Sequence, residues 1–224
     1  MRKVVTWSVV AVLVAVTTVS AAAQQLQTDE QKTLYALGVA VSQNLSSFNL
    51  TEAELEMVKA GLTDGILHKA PQADLQTYGP KIQAWQSTRL SAAAAIEKKV
   101  GQAFLDKAAA DQGATKTSSG LVITTLKPGA GPSPKATDKV KVHYQGTLTD
   151  GSVFDSSVQR GQPVTFPLNG VIRCWTEGVQ LMKVGGKSRL VCPADLAYGD
   201  RGAPPRIKPG ATLVFEVELL DIVQ

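Results

Sequence analysis

The chain has 224 residues, 44% of them hydrophobic and 19% charged, which is ordinary globular composition without the charge excess of a disordered protein. Its formal net charge is +4, but Arg2 and Lys3 supply two of those charges, and without them 21 basic side chains face 19 acidic ones. That near balance gives no electrostatic case for nucleic-acid binding.

The first residues read as a secretory signal. Arg2 and Lys3 form a basic start, Val4 to Val19 an apolar stretch, and Ala21-Ala22-Ala23 a small-residue cleavage site before Gln24. The rival reading is a membrane anchor. The stretch of about 16 residues is short of the roughly 20 that span a bilayer, and no basic stop-transfer cluster follows. No cysteine stands near the cleavage site to carry a lipid. We expect residues 1–23 to be a cleaved signal, the mature chain to be periplasmic or secreted, and no stable membrane anchor to remain.

Residues 24–112 contain only Pro71 and Pro80 and are rich in Ala, Leu, Gln, Glu and Lys. Leu34, Leu37, Val41, Leu45 and Phe48 recur at helical spacing and predict a helix over 29–48. Thr51 and Glu54 fit a capping box that opens a second helix, with Leu55, Val58, Leu62 and Ile66 on one face and Pro71 ending it. Pro80 suits the first turn of a third helix running from Lys81 to Asp111. Two shorter helices cannot cover one this long. Periodicity leaves two readings open, a plain helical bundle and an arm through which two chains associate.

Residues 113–224 hold the other prolines and most of the glycines. Gly113 stops the long helix and Thr115 to Ser119 reads as a polar connector. Strands are expected over Leu121–Leu126, around Val140, Val142 and Tyr144, at Val153–Asp155, over Lys187–Cys192 and over Thr212–Ile222. A turn at Thr149–Ser152 joins two of them, and Gly185-Gly186 turns the chain before another. Only Val171–Met182 has helical spacing, with Trp175, Val179 and Met182 on one face. A long loop from Pro193 to Gly210 precedes the last strand. The fold class is α+β: an N-terminal all-α arm with a long connecting helix, then a curved antiparallel sheet wrapped on a short helix.

Hydrolytic and metal chemistry are poorly served. There is no Gly-rich phosphate loop, no HExxH and no Cys/His cluster, and the two histidines, His68 and His143, fall in different parts of the chain. We expect no metal and no cofactor. The β-rich part instead offers aromatic residues at loops and strand ends, among them Tyr144, Phe154, Trp175, Tyr198 and Phe215, with Asp155 beside one of them.

Five blocks carry a resemblance. They are Val142-His143-Tyr144-Gln145-Gly146, Asp150 to Ser157, Val171 to Gly178, Leu196-Ala197-Tyr198-Gly199, and Ala211 to Leu220. In this order they closely resemble the core of FKBP-type peptidyl-prolyl cis/trans isomerases. The helical part is similar to the macrophage infectivity potentiator-like and FkpA-like subgroup, through Tyr35-Ala36-Leu37-Gly38, Gly101 to Leu105 and Thr117 to Leu121. The resemblance implies a homodimer through residues 24–112 and an isomerase domain over 113–224. It implies that Trp175 floors a proline pocket walled by Tyr144, Phe154 and Phe215. The Ile172 N–H and the Tyr198 hydroxyl would hold substrate carbonyls, and Asp155 would orient polar neighbours. Val171, Val164 and Ile207 would complete the substrate contacts, Val164 standing where some relatives carry a larger aromatic. Phe166 reads as core. Arg206 could favour an acidic or extended substrate, against the plainer reading of a solvated arginine.

The implied substrates are proline-containing unfolded or partly folded polypeptides. One rival function is a holdase chaperone acting through the cleft of a dimer, with isomerase activity secondary. A partner-binding protein with a degenerate pocket is the other, and the intact pocket residues argue against it. In an oxidising compartment Cys174 and Cys192 are expected to pair as a structural disulfide; the alternative is two buried free thiols.

Overall fold

The computed structural model describes residues 26–223, so the expected signal at 1–23 lies outside the described residues. The chain divides between Ala40 and Val41 into two compact units. Helix α1 (Asp29–Leu45) begins in the first and ends in the second, and a 3₁₀ turn over Ser46–Phe48 completes the predicted 29–48 segment. None of its side chains is buried, and Leu34, Leu37 and Val41 are exposed.

Helix α2 (Glu52–Ile66) starts with the expected capping box. The Thr51 N–H donates to Glu54 Oε2 at 2.8 Å and the Glu54 N–H to Thr51 Oγ1 at 3.4 Å. Arg89 of the third helix donates to both oxygens of Glu54, and to the carbonyls of Phe48 at 3.1 Å and Asn49 at 2.8 Å. These bonds, the Thr51 N–H first and Arg89 next, hold the Glu54 carboxyl down at about 2. The helix ends at Ile66, before Pro71, because His68 takes a left-handed conformation (φ 53°) and turns the chain away.

Helix α3 (Leu75–Ala109) starts six residues earlier than Pro80 suggested. Asp74 caps it, accepting the N–H groups of Gln76 at 3.2 Å and Thr77 at 2.8 Å. That cap outweighs the proline, which lies inside the helix and leaves the Gln76 carbonyl without its i+4 donor. At 35 residues, α3 is about 53 Å long.

Seven strands follow: β1 (Ala114–Lys116), β2 (Val122–Lys127), β3 (Lys139–Leu148), β4 (Val153–Ser156), β5 (Val164–Pro167), β6 (Lys187–Cys192) and β7 (Leu213–Val223). They form one antiparallel sheet in the order β1-β2-β6-β7-β3-β4, with β5 also on β3. The stretch read as a polar connector is in fact β1 at its start, since Ala114–Lys116 pairs with Val122–Thr124. A short helix, α4 (Arg173–Gln180), lies across one face and buries Cys174, Trp175 and Val179.

Strand alternation gives the sheet two cores. Leu190, Cys192, Leu213, Phe215, Val217 and Leu219 turn toward α4. Their neighbours Val122, Val191 and Val214 turn the other way and pack on Leu105 and Ala108 of α3. The last turns of the long helix therefore belong to the core of the β-rich part. Cys174 on α4 and Cys192 at the end of β6 are both fully buried and meet sulfur to sulfur, their Cα atoms 5.7 Å apart. A disulfide spans such a distance.

Leu105 is 4% exposed and packs against strands rather than arm helices. Leu105→Ala should lower the unfolding free energy of the β-rich part by about 2–4 kcal/mol. Chemical denaturation followed by Trp175 fluorescence checks it, and an unchanged midpoint would show the contact to be dispensable.

Candidate active site

The side chains singled out from the sequence converge because the sheet brings β3, β4 and β7 side by side. In register, Gly146 of β3 faces Asp155 of β4 on one side and Phe215 of β7 on the other. Gly146 is required by space: a Cβ there would lie 2.6 Å from Phe154 Cζ and 2.9 Å from Phe215 Cε1. Its absence lets the two rings meet edge to face at 5.6 Å. Beneath them Trp175, 4% exposed, is met nearly perpendicularly by Tyr144 at 5.1 Å, Phe215 at 5.4 Å and Phe166 at 5.9 Å. Such edge-to-face contacts fix ring orientation as well as adding attraction.

These rings line a cleft of about 400 Å³, together with Asp155, Gly170, Val171, Ile172 and Tyr198. Tyr144, Phe154, Asp155, Trp175, Tyr198 and Phe215, expected to form the proline pocket, thus share one cavity, with Val171 and Ile172 from the segment leading into α4. Val164 and Ile207 do not line it. Val164 packs half-buried against the core, and Ile207, 5% exposed, is buried within it and bridged to Ala203. Phe166, read as core, is half-buried and takes the place on β5 expected for Val164; the two alternate onto the same face, two residues apart.

The polar side of the cleft is a closed group of three. The Tyr144 hydroxyl donates to Asp155 Oδ2, and Arg160 donates to Asp155 Oδ1 and, at 3.0 Å, to the Tyr144 hydroxyl. Burial pushes the Tyr144 phenol above its ordinary range, and the Asp155 carboxylate adds to that. Burial also acts to raise Asp155, but the hydrogen bonds from Tyr144 and Arg160 outweigh it and hold its carboxyl below the usual range. At neutral pH Asp155 is therefore a carboxylate and Tyr144 a neutral donor. The sequence reading missed Arg160, although a basic residue five positions after Asp155, across a short turn, was a readable signal. Arg206 is exposed, and its Nη1 donates to the Phe154 carbonyl at 3.0 Å, tying the long loop to β4.

Two further donors belong to residues that line the cleft. The Ile172 N–H makes no hydrogen bond among the described residues, and Tyr198 is 41% exposed at the rim. The buried indole N–H of Trp175 likewise has no partner among the described residues. No group of metal-ligating side chains occurs among the described residues, and none of their helices is long and apolar enough to cross a membrane.

Known proteins resemble this chain over most of its length. The family described as "FKBP-type peptidyl-prolyl cis-trans isomerase" matches residues 131–220, and the "Domain amino terminal to FKBP-type peptidyl-prolyl isomerase" matches residues 30–123. The FKBP-type isomerase FkpA of Aeromonas hydrophila is 43% identical over 86% of this chain and 76% of its own. The FKBP-type 22 kDa isomerase of Escherichia coli K12 is 42% identical over 88% of this chain and 97% of its own. The crystal structure of E. coli FkpA superposes with a TM-score of 0.64 at 37% identity, covering 88% of this chain and 98% of that one. These likenesses support isomerase chemistry and do not favour the holdase alternative. The chain belongs to the FKBP family of peptidyl-prolyl cis-trans isomerases, with the amino-terminal domain found in its FkpA-like members.

Proposed function

We propose that the cleft over Trp175 is where X–Pro bonds rotate, and that the protein does this for exported polypeptides. The observation that carries the reading is the packing of four aromatic side chains about an indole floor, with the one carboxylate of the cleft already engaged by Tyr144 and Arg160. Rotation about the amide must overcome about 18–20 kcal/mol of resonance, and needs no nucleophile and no net proton transfer. As the bond twists, conjugation is lost and the carbonyl dipole shrinks. An apolar cleft therefore favours the twisted state over the planar one. Trp175 supports the prolyl ring, while Phe154, Phe215, Tyr144 and Phe166 exclude water around it. The Ile172 N–H and the Tyr198 hydroxyl hold carbonyls on either side, so that one end of the substrate turns against a fixed other end.

Phe154→Ala removes a wall, and Asp155→Ala frees Tyr144 and Arg160 from their shared partner. Each should lower kcat/KM on a proline tetrapeptide at least about tenfold while leaving the circular dichroism spectrum folded. Wild-type turnover in both variants would refute this assignment of the site.

We further infer a periplasmic or secreted homodimer with a Cys174–Cys192 bridge. The basic start, apolar stretch and Ala21–Ala23 support export, and an oxidising compartment suits the meeting of the two sulfurs. The dimer reading rests on apolar surface: α1 and α2 bury no side chain, and Leu55, Leu62 and Ile66 are exposed as well as Leu34, Leu37 and Val41. Apolar area of this extent on one segment marks an association surface. Mature protein taken from the periplasm should sediment as a dimer at micromolar concentration, and its cysteines should resist alkylation when denatured without reductant. A monomer would contradict the first part, and labelling of both thiols the second.

A further inference from the structure

Tyr198 stands on the loop after β6, between two 3₁₀ turns, Ala194–Leu196 and Gly199–Arg201. Each turn carries an aspartate, Asp195 in the first and Asp200 in the second. The ammonium of Lys98, on α3, lies 2.7 Å from a carboxylate oxygen of each. One charge on the arm helix thus ties down the chain three residues before the tyrosine and two residues after it.

A second contact, one helical turn back, sets the distance between helix and loop. Ala94 is 1% exposed and its backbone meets Gly210 so closely that a Cβ on Gly210 would lie 2.4 Å from the Ala94 carbonyl oxygen. Gly210 in turn donates its N–H to the Gly199 carbonyl at 2.9 Å, joining the far end of the loop to the residue after Tyr198. Residues 94 and 98 are one turn apart and share a face of α3. The helix therefore touches this loop through a buried backbone contact and through a charged clamp.

A single exposed ion pair does little for stability. The Lys98 clamp has a different use, because both of its partners sit on the loop that positions one side chain of the cleft. Tyr198 is half-exposed at the rim and, in the reading given above, holds a substrate carbonyl. Its hydroxyl can do so without an ordering penalty only if the loop already stands in place before substrate arrives. Without the ammonium, Asp195 and Asp200 would lose the partner that joins them.

We propose that Lys98 is a positioning residue of the isomerase: through Asp195 and Asp200 it fixes the Tyr198 loop against α3, so that substrate affinity depends on the arm helix. This rests on the reading of Tyr198 as a substrate-binding group, and the experiment separates the two.

The full-length protein is assayed on a proline tetrapeptide by a protease-free method, with melting curves in parallel. Lys98→Met should raise KM about threefold to tenfold with kcat nearly unchanged, the mark of lost uniform binding rather than lost chemistry. Lys98→Arg, whose guanidinium can span both carboxylates, should recover most of the loss. Asp200→Asn should give the same change in smaller measure without altering the helix. Salt of about 0.5 M should move the wild type toward the Lys98→Met values by screening the clamp. Tyr198→Phe should lower kcat/KM, and combining it with Lys98→Met should add little, since both act through one hydroxyl. Wild-type KM in Lys98→Met beside an impaired Tyr198→Phe would overturn the clamp alone, as would additive losses in the double variant. An unimpaired Tyr198→Phe would overturn the role of Tyr198 and the clamp with it.

Discussion

An eight-residue helix has too few hydrogen bonds to persist in water, so α4 exists because the sheet accepts its apolar face. Seating it buries Cys174, Trp175, Gly178 and Val179, and Trp175 then meets rings from three different strands, β3, β5 and β7. Each edge-to-face pair contributes about 0.5–1.5 kcal/mol beyond the area it buries. Displacing the indole would break all three pairs together. The floor of the cleft is thus also the centre of the core, and the site inherits the rigidity of close packing. The meeting of Cys174 and Cys192 lies next to that floor and joins the same helix to the end of β6.

The sheet that holds α4 on one face holds α3 on the other. Phe215 enters the cleft while Val214, its neighbour, packs with Leu105 and Ala108. Leu190 and Val191 divide in the same way. Arm and cleft are therefore separated by the thickness of a single strand. Together with the Ala94–Gly210 approach, this makes the second half of α3 a part of the catalytic domain by packing, although by composition it reads as part of the arm. Division of the chain by composition at residue 112 follows secondary structure, whereas the cores follow contacts that composition does not display.

Much of the fold could be read directly because it rests on local periodicity. The alternation of Val140, Val142 and Tyr144, the spacing of Trp175, Val179 and Met182, and the Thr51–Glu54 box each name their element without tertiary information. The errors arose where two local signals competed. Pro80 marks a helix start, but Asp74 is a stronger one, and only its accepted hydrogen bonds decide between them. In the cleft, the residues gathered by resemblance include aromatic side chains that line one cavity, and Val164 and Ile207, which do not line it. Of the two same-face residues on β5, Phe166 meets Trp175 and lines the cleft, while Val164 packs against the core. Arg160 and Gly146 escaped notice for opposite reasons. The arginine acts through partners brought close by a turn, and the glycine acts by leaving room.

The state of Asp155 bears on the kind of chemistry the cleft can host. A carboxylate beside a bound amide invites the role of general base, for which its pKa would need to lie near the working pH. Here the opposite holds: Tyr144 and Arg160 occupy its two oxygens and hold its carboxyl below the usual range. A base so satisfied has little reason to take a proton from water or substrate. Its effect is instead to fix the Tyr144 ring, which meets the Trp175 floor nearly perpendicularly, and to keep a charge pair with Arg160 at the polar rim. Hydrolysis would require an activated water and a means of stabilising a tetrahedral oxyanion. Rotation requires only that the reacting amide leave water while its two ends stay held. The cleft presents apolar rings where the twisted bond would lie, and sets its polar groups at the margins where flanking carbonyls would reach them.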